Sequence, residues 1–194
     1  KHLPFWLASA THPGEDEIVL DAHHSVLETH ADALLILVPR HTDRAADIAG
    51  LITGANLRLA QRSLGQDPAS DAEVYLADTL GETGLWYALA PITCLCGSFS
   101  KVGGHNPFEP AQGGAAILHG PHYANFSQVY AEFDAAGAAR EVSDAKALSD
   151  AVLHLMDDDT ARHTLADHAK TLSHAQDQGL DDIARDLSKA LDLG

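Results

Sequence analysis

The chain has 194 residues, 45% of them hydrophobic and 21% charged, a composition close to that of globular domains and unlike a disordered tail. No apolar run approaches the length of a membrane-spanning helix. Acidic residues outnumber Lys and Arg by 28 to 12, and the formal charge of −16 argues against a general nucleic-acid binder, which must neutralise phosphates.

The opening segment, Lys1-His2-Leu3-Pro4, carries no signal-peptide pattern and runs directly into an apolar stretch, so the chain is expected to begin inside a strand, as a piece of a larger protein. Residues 5–9 read as that strand, Thr11-His12-Pro13-Gly14 as a turn, and residues 15–30 as an amphipathic helix. Residues 33–38 form a near-continuous apolar run closed by Pro39, the pattern of a parallel strand covered on both faces, and residues 43–54 return to helical spacing. Strands at 57–60 and 73–77 flank the polar turn Gly65-Gln66-Asp67-Pro68, and a helix is expected over 81–89.

The strand at 92–96 carries both cysteines. Cys94 and Cys96 alternate so that both side chains fall on one face; with no second pair to complete a zinc site, they read as core residues in a reducing compartment. A glycine-bearing segment leads to a helix beginning near Asn106, followed by a strand at 115–118, a helix at 125–136, a short strand at 139–142, and two or three amphipathic helices from Asp144 onward. This alternation predicts one domain over residues 1–194, a doubly wound, Rossmann-like parallel sheet with C-terminal helices, whose ligand site lies outside the C-terminal ends of the strands.

Three loops at those ends carry candidate chemistry. Pro39-Arg40-His41 places a planar guanidinium, suited to phosphate or carboxylate, just after a buried strand. In Asp78-Thr79-Leu80-Gly81-Glu82, Thr79 is expected to cap a helix with Glu82 as its third residue, and Gly81 to let a ligand approach the backbone N–H groups. In the third loop, Gly97 to Pro110, Asn106 is expected as the cap, Pro107 as the first helical residue, and Glu109 three residues after the cap. Asn-x-x-Glu is a capping signature in its own right, but the preceding Gly103-Gly104 permits positive φ and close passage of a substrate, and Glu109 is then suited to a ribose. In so acidic a chain an anion needs a local positive patch, and Arg40, Lys101 and two helix N-termini supply the parts. The 13 histidines form no HExxH-type pair, so no metal site is expected.

Four segments, Ala10-Thr11-His12-Pro13-Gly14-Glu15, Leu37-Val38-Pro39-Arg40-His41, Asp78-Thr79-Leu80-Gly81-Glu82 and Gly103-Gly104-His105-Asn106-Pro107-Phe108-Glu109-Pro110, occur in that order. In these the chain resembles the 3-deoxy-D-manno-octulosonic acid (Kdo) transferases of lipopolysaccharide synthesis, from about Trp6 to Asn125. The resemblance implies the C-terminal, donor-binding half of a GT-B glycosyltransferase that is inverting and uses neither metal nor cofactor. CMP-Kdo would be the donor and a lipid A precursor the acceptor, at the cytoplasmic face of the inner membrane. It further implies that Pro39, Arg40, Leu80, Gly81, Glu82, Asn106, Pro107, Phe108 and Glu109 contact CMP, with His12, Ser98, Lys101, Gly104 and His105 nearby. The catalytic base and the acceptor and membrane surfaces would belong to an N-terminal half absent from this chain, which alone would transfer nothing. Pro13, where an acidic residue is usual, and Cys96, in place of the first glycine of a Gly-Gly-Ser turn, depart from the family pattern. A UDP-sugar epimerase or other GT-B relative, or a non-catalytic nucleotide-binding module, are the competing readings.

Overall fold

The computed structural model describes residues 4–68 and 71–190, with side chains as far as Gln176; Lys1, His2 and Leu3 of the expected opening lie outside the described residues. Strands β1 (Phe5–Thr11), β2 (Leu34–Pro39), β3 (Leu59–Gln61), β4 (Val74–Leu76), β5 (Ile92–Leu95), β6 (Ala116–His119) and β7 (Ala139–Glu141) form one sheet of order β3-β4-β2-β1-β5-β6-β7. Every pairing is parallel. Helices α1 (Glu15–Thr29), α2 (Ala45–Gly54), α3 (Thr83–Leu89), α4 (Phe108–Gly113), α5 (Ser127–Ala135), α6 (Ala145–Asp157) and α7 (Asp159–Ala190) cover it.

Because side chains alternate along a strand, the sheet feeds two cores. Trp6, Ala8, Leu35, Leu37 and Leu76 pack against Val19, Val26, Ile48, Ile52, Leu148 and Val152 of α1, α2 and α6. Leu7, Ile36, Val38, Tyr75 and Ile117 face Trp86, Tyr87, Ala111, Phe133 and Ala169 of α3, α4, α5 and α7. Each buried aliphatic side chain contributes about 1.5–3 kcal/mol, and β2, covered on both faces, is buried along its whole length. Cys94 and Cys96 are free, buried and on the same face.

The chain passes from the central β1 to β2, on to the edge strand β3 and back to β4 between them, then places β5 on the other side of β1. The strand order therefore reverses between β1 and β5, and the loops leaving these strands diverge there to open a crevice. Two features sharpen it. Ala10 adopts φ 61, and the β1–β2 register shifts between Ser9 and Thr11, a kink that turns the strand end toward the crevice.

The helix starts differ from expectation. Thr79 does not cap α3, which begins at Thr83; its hydroxyl donates instead to the Glu82 carboxylate. That carboxylate also receives both Nε and Nη2 of Arg62, at 3.0 and 2.7 Å, so it is not free to reach back to a backbone N–H. Asn106 Oδ1 does accept the Phe108 N–H at 3.0 Å, but the first helical turn is closed by the Pro107 carbonyl, so α4 begins at Phe108. Residues 42–44 and 124–126 form 3-10 turns ahead of α2 and α5.

Candidate functional site

A cavity of about 330 Å³ lies at the switch point, lined by the ends of β1 (Ser9, Ala10) and β2 (Val38, Pro39, Arg40), the β4–α3 loop (Thr79, Leu80, Gly81), Tyr87, and His105, Asn106 and Glu109 of the β5–α4 segment. That is the size range of small-ligand sites. Its floor is tied together by the Ser9 and Tyr87 hydroxyls, 2.9 Å apart and buried; burial pushes the Tyr87 phenol up to about 12, so it stays protonated.

Two charged groups at the rim, Arg40 and Glu109, are uncommitted. Arg40 is exposed, and among the described residues no carboxylate pairs with it; its neighbour Arg44 is the one drawn inward, to the buried Asp16 and the Thr11 carbonyl. Glu109 is likewise exposed, with no hydrogen bond or ion pair to the described residues. An acid that served only to cap α4 would be turned back on the chain. With α3 and α4 only seven and six residues long, their termini add little positive potential, and Arg40 carries most of it.

The structure gathers Pro39, Arg40, Leu80, Gly81, His105, Asn106 and Glu109 around this cavity and sends the other sequence candidates elsewhere. Glu82 is held by Arg62 and Thr79, whose hydrogen bonds pull its carboxyl down to about 2. Pro107 is buried, and the Phe108 ring packs edge-on against Phe133 in the core. Ser98 is fully buried, donating to the Leu95 carbonyl at 2.6 Å and accepting the Gly120 N–H at 2.7 Å. Lys101 lines a neighbouring cavity of about 420 Å³ with His122 and Tyr123. His12 sits behind His105, its Nε2 3.0 Å from His105 Nε2.

Gly103 and Gly104 have φ values of 100° and 81°, but what passes close to them is the protein itself. A Cβ on Gly103 would lie 2.6 Å from the Asn125 side chain, and one on Gly104 would lie 3.1 Å from Tyr123. The Asn125 N–H in turn donates to the Gly103 carbonyl at 3.0 Å. These glycines let the β5–α4 loop fold against the β6–α5 loop, and Gly103 also lines the neighbouring cavity beside Lys101.

Sequence reasoning missed Glu15 as an organiser. Fully buried, it accepts the His12 N–H (2.9 Å), the Gly97 N–H (2.6 Å) and the Phe99 N–H (2.9 Å), joining the loops after β1 and β5. Its position just after Gly14 at the start of α1 was the available signal, but an acid there reads equally well as a complement to the helix dipole. Among the described residues no group of three or more His, Cys, Asp or Glu side chains is arranged to hold a metal, and no helix is long and apolar enough to cross a membrane.

An all-parallel doubly wound sheet with a polar cavity at its switch point is the architecture of the C-terminal domain of a GT-B glycosyltransferase. The C-terminal CMP-Kdo binding domain of WaaA from Acinetobacter baumannii superposes with a TM-score of 0.83 at 31% identity, over 87% of this chain and 88% of that one. The 3-deoxy-D-manno-octulosonic acid transferases of Haemophilus influenzae and Bordetella pertussis are 36% and 34% identical over 84% and 89% of this chain. The chain belongs to the 3-deoxy-D-manno-octulosonic acid transferase family. It spans 38% and 42% of the length of those two relatives. No family model matches the chain.

Proposed function

We propose that this chain binds the CMP-Kdo donor for a whole protein that transfers Kdo to a lipid A precursor at the cytoplasmic face of the inner membrane. The observation that carries the reading is that Arg40 and Glu109, each without a partner among the described residues, line one cavity at the switch point. The Arg40 fork would take the CMP phosphate, and Glu109 would accept the ribose hydroxyls. Pro39, Leu80, Gly81 and Asn106 would complete the nucleotide contacts.

In the transfer, the bond from the sugar's anomeric carbon to the phosphate oxygen breaks as a bond to the acceptor hydroxyl oxygen forms on the opposite face. The acceptor's proton goes to a base outside this chain, and CMP leaves with the electron pair of the broken bond. Negative charge therefore grows on the phosphate, where Arg40 is already positioned to stabilise it. No metal ion or cofactor has a part in this reading.

Calorimetry with CMP and UDP tests it. CMP should bind more tightly than UDP, and Arg40→Ala should cost about 2–4 kcal/mol of CMP affinity, because it removes the strongest donor to the phosphate. The chain alone, given CMP-Kdo and a lipid A precursor, should form no product. Preference for UDP would instead favour a UDP-sugar relative.

A further inference from the structure

Beside the nucleotide cavity two imidazoles form a unit to which the donor-binding reading gives no task. His12 Nε2 and His105 Nε2 are 3.0 Å apart, and the two rings lie nearly parallel, with centroids 5.2 Å apart and planes inclined by 12°. A hydrogen bond between two ring nitrogens holds a single proton. One ring must donate from Nε2 while the other accepts and keeps its own proton on Nδ1. The Nδ1 of the donating ring is then bare, and the pair has one vacancy for a further proton.

The unit is built rather than incidental. The His105 ring lies against Gly97, where a Cβ would come within 2.8 Å of it, and the His105 carbonyl accepts the Tyr130 hydroxyl at 2.8 Å. The His12 N–H is fixed by Glu15, and His41 stands edge-on to the His12 ring at 5.9 Å. Arg40, Arg44 and His41, from the β2–α2 connection, face the pair with positive or chargeable groups; Arg44 is already paired with Asp16. From α1 the facing acid is Glu15, whose carboxylate accepts three backbone N–H groups. Burial, followed for His105 by the neighbouring His12 and Arg40, lowers the pKa of each ring, so the empty pair is neutral near pH 7.

We propose that the His12–His105 pair is a shared-proton carboxylate site, which takes up one proton when the acid group of the donor sugar settles beside Arg40. This inference rests on the donor-binding reading above. An octulosonic acid joined to a nucleotide through its anomeric carbon carries the phosphate oxygen and the carboxylate on that same carbon. The two anions arrive side by side and need two adjacent positive groups. Arg40 supplies one permanently. The pair supplies the other only when a carboxylate is present to stabilise the added proton. A neutral-sugar nucleotide recruits no such proton, so the pair selects for the sugar acid.

The test is calorimetry of CMP-Kdo and of the methyl ester of CMP, whose phosphate carries a single charge like that of CMP-Kdo, in two buffers of unlike ionisation enthalpy at pH 7, on the unaltered chain. CMP-Kdo binding should take up close to one proton more than binding of the methyl ester, and its advantage over the ester should shrink by about tenfold per pH unit as the solution is made alkaline. His12→Gln and His105→Gln, which preserve a hydrogen bond but not the charge, should abolish the extra proton. Both should weaken CMP-Kdo by about tenfold or more, and His12→Gln, whose ring does not line the cavity, should leave the methyl ester within about twofold. Equal proton uptake with the two ligands, or equal losses for both in His12→Gln, overturns the shared-proton site while leaving nucleotide binding intact. Failure of the unaltered chain to bind even CMP overturns the donor-binding reading itself, and this inference with it.

Discussion

The Glu15 carboxylate accepts the N–H of Gly97 at 2.6 Å across 82 residues of sequence. The same group holds His12 on its own loop and Phe99 two residues beyond Gly97. The two loops that flank the strand-order reversal are thus fastened by one buried anion whose lone pairs are met by backbone donors, an arrangement that makes a buried carboxylate tolerable. His105 takes its place against Gly97, so the rim of the cavity inherits its geometry from Glu15.

Glu15→Gln keeps the shape but turns an N–H₂ group toward backbone donors that need an acceptor. The expected loss is about 1–3 kcal/mol of unfolding free energy, which lowers the melting temperature by about 2–4 °C per kcal/mol in a chain of this length. CMP affinity should fall as well, because the loops lose their register. Urea unfolding and CMP titration of the same variant check both, and unchanged stability would mean that Glu15 is not the fastening.

The architecture was legible because parallel strands covered on both faces are written as continuous apolar runs, as 34–39 and 92–95 are. Arg40 and Gly81 were legible as loop residues following β2 and β4, and Glu109 as an acid at the start of the helix that follows β5. Which side of a loop faces the cavity was not. Ser98, Pro107 and Phe108 share a segment with Asn106 and Glu109, yet their side chains turn inward, because the loop must bury its apolar members and pair its buried hydroxyl. The start of α3 was misplaced because Arg62, twenty residues earlier, captures the carboxylate that local pattern assigns to a cap. The roles of Glu15 and Gly103 depend on partners 82 and 22 residues away, and local spacing carries no record of such contacts.

Glu109 separates a ligand role from a capping role. Its side chain is exposed and has no hydrogen bond to the described residues, so Glu109→Gln should change unfolding free energy by no more than about 0.5 kcal/mol. Loss of a charged acceptor for ribose hydroxyls should weaken CMP by about 1.5–3 kcal/mol. Thermal unfolding and calorimetry on one preparation decide the matter: lower stability with unchanged affinity would return Glu109 to the cap.

His23 gives the fold a defined acid sensitivity. The ring is fully buried; its Nδ1 accepts the Trp6 indole N–H at 3.1 Å and its Nε2 donates to the Glu73 carbonyl at 2.8 Å. Both nitrogens are therefore satisfied in the neutral ring, and protonation at Nδ1 would set two N–H groups against each other. Burial lowers the pKa from 6.5 to about 4. Between those values the unfolded chain binds a proton that the native chain does not, so stability falls as pH drops through 6.5 and levels off once it passes below about 4. The His23 contribution to the difference between pH 7 and pH 5 amounts to about 2 kcal/mol. His23→Gln has no proton to gain, and although it will be less stable at pH 7, its unfolding free energy should vary less between these two pH values by that amount. Urea unfolding of both proteins at pH 7 and pH 5 measures the difference, and parallel pH profiles would assign the acid sensitivity to other groups.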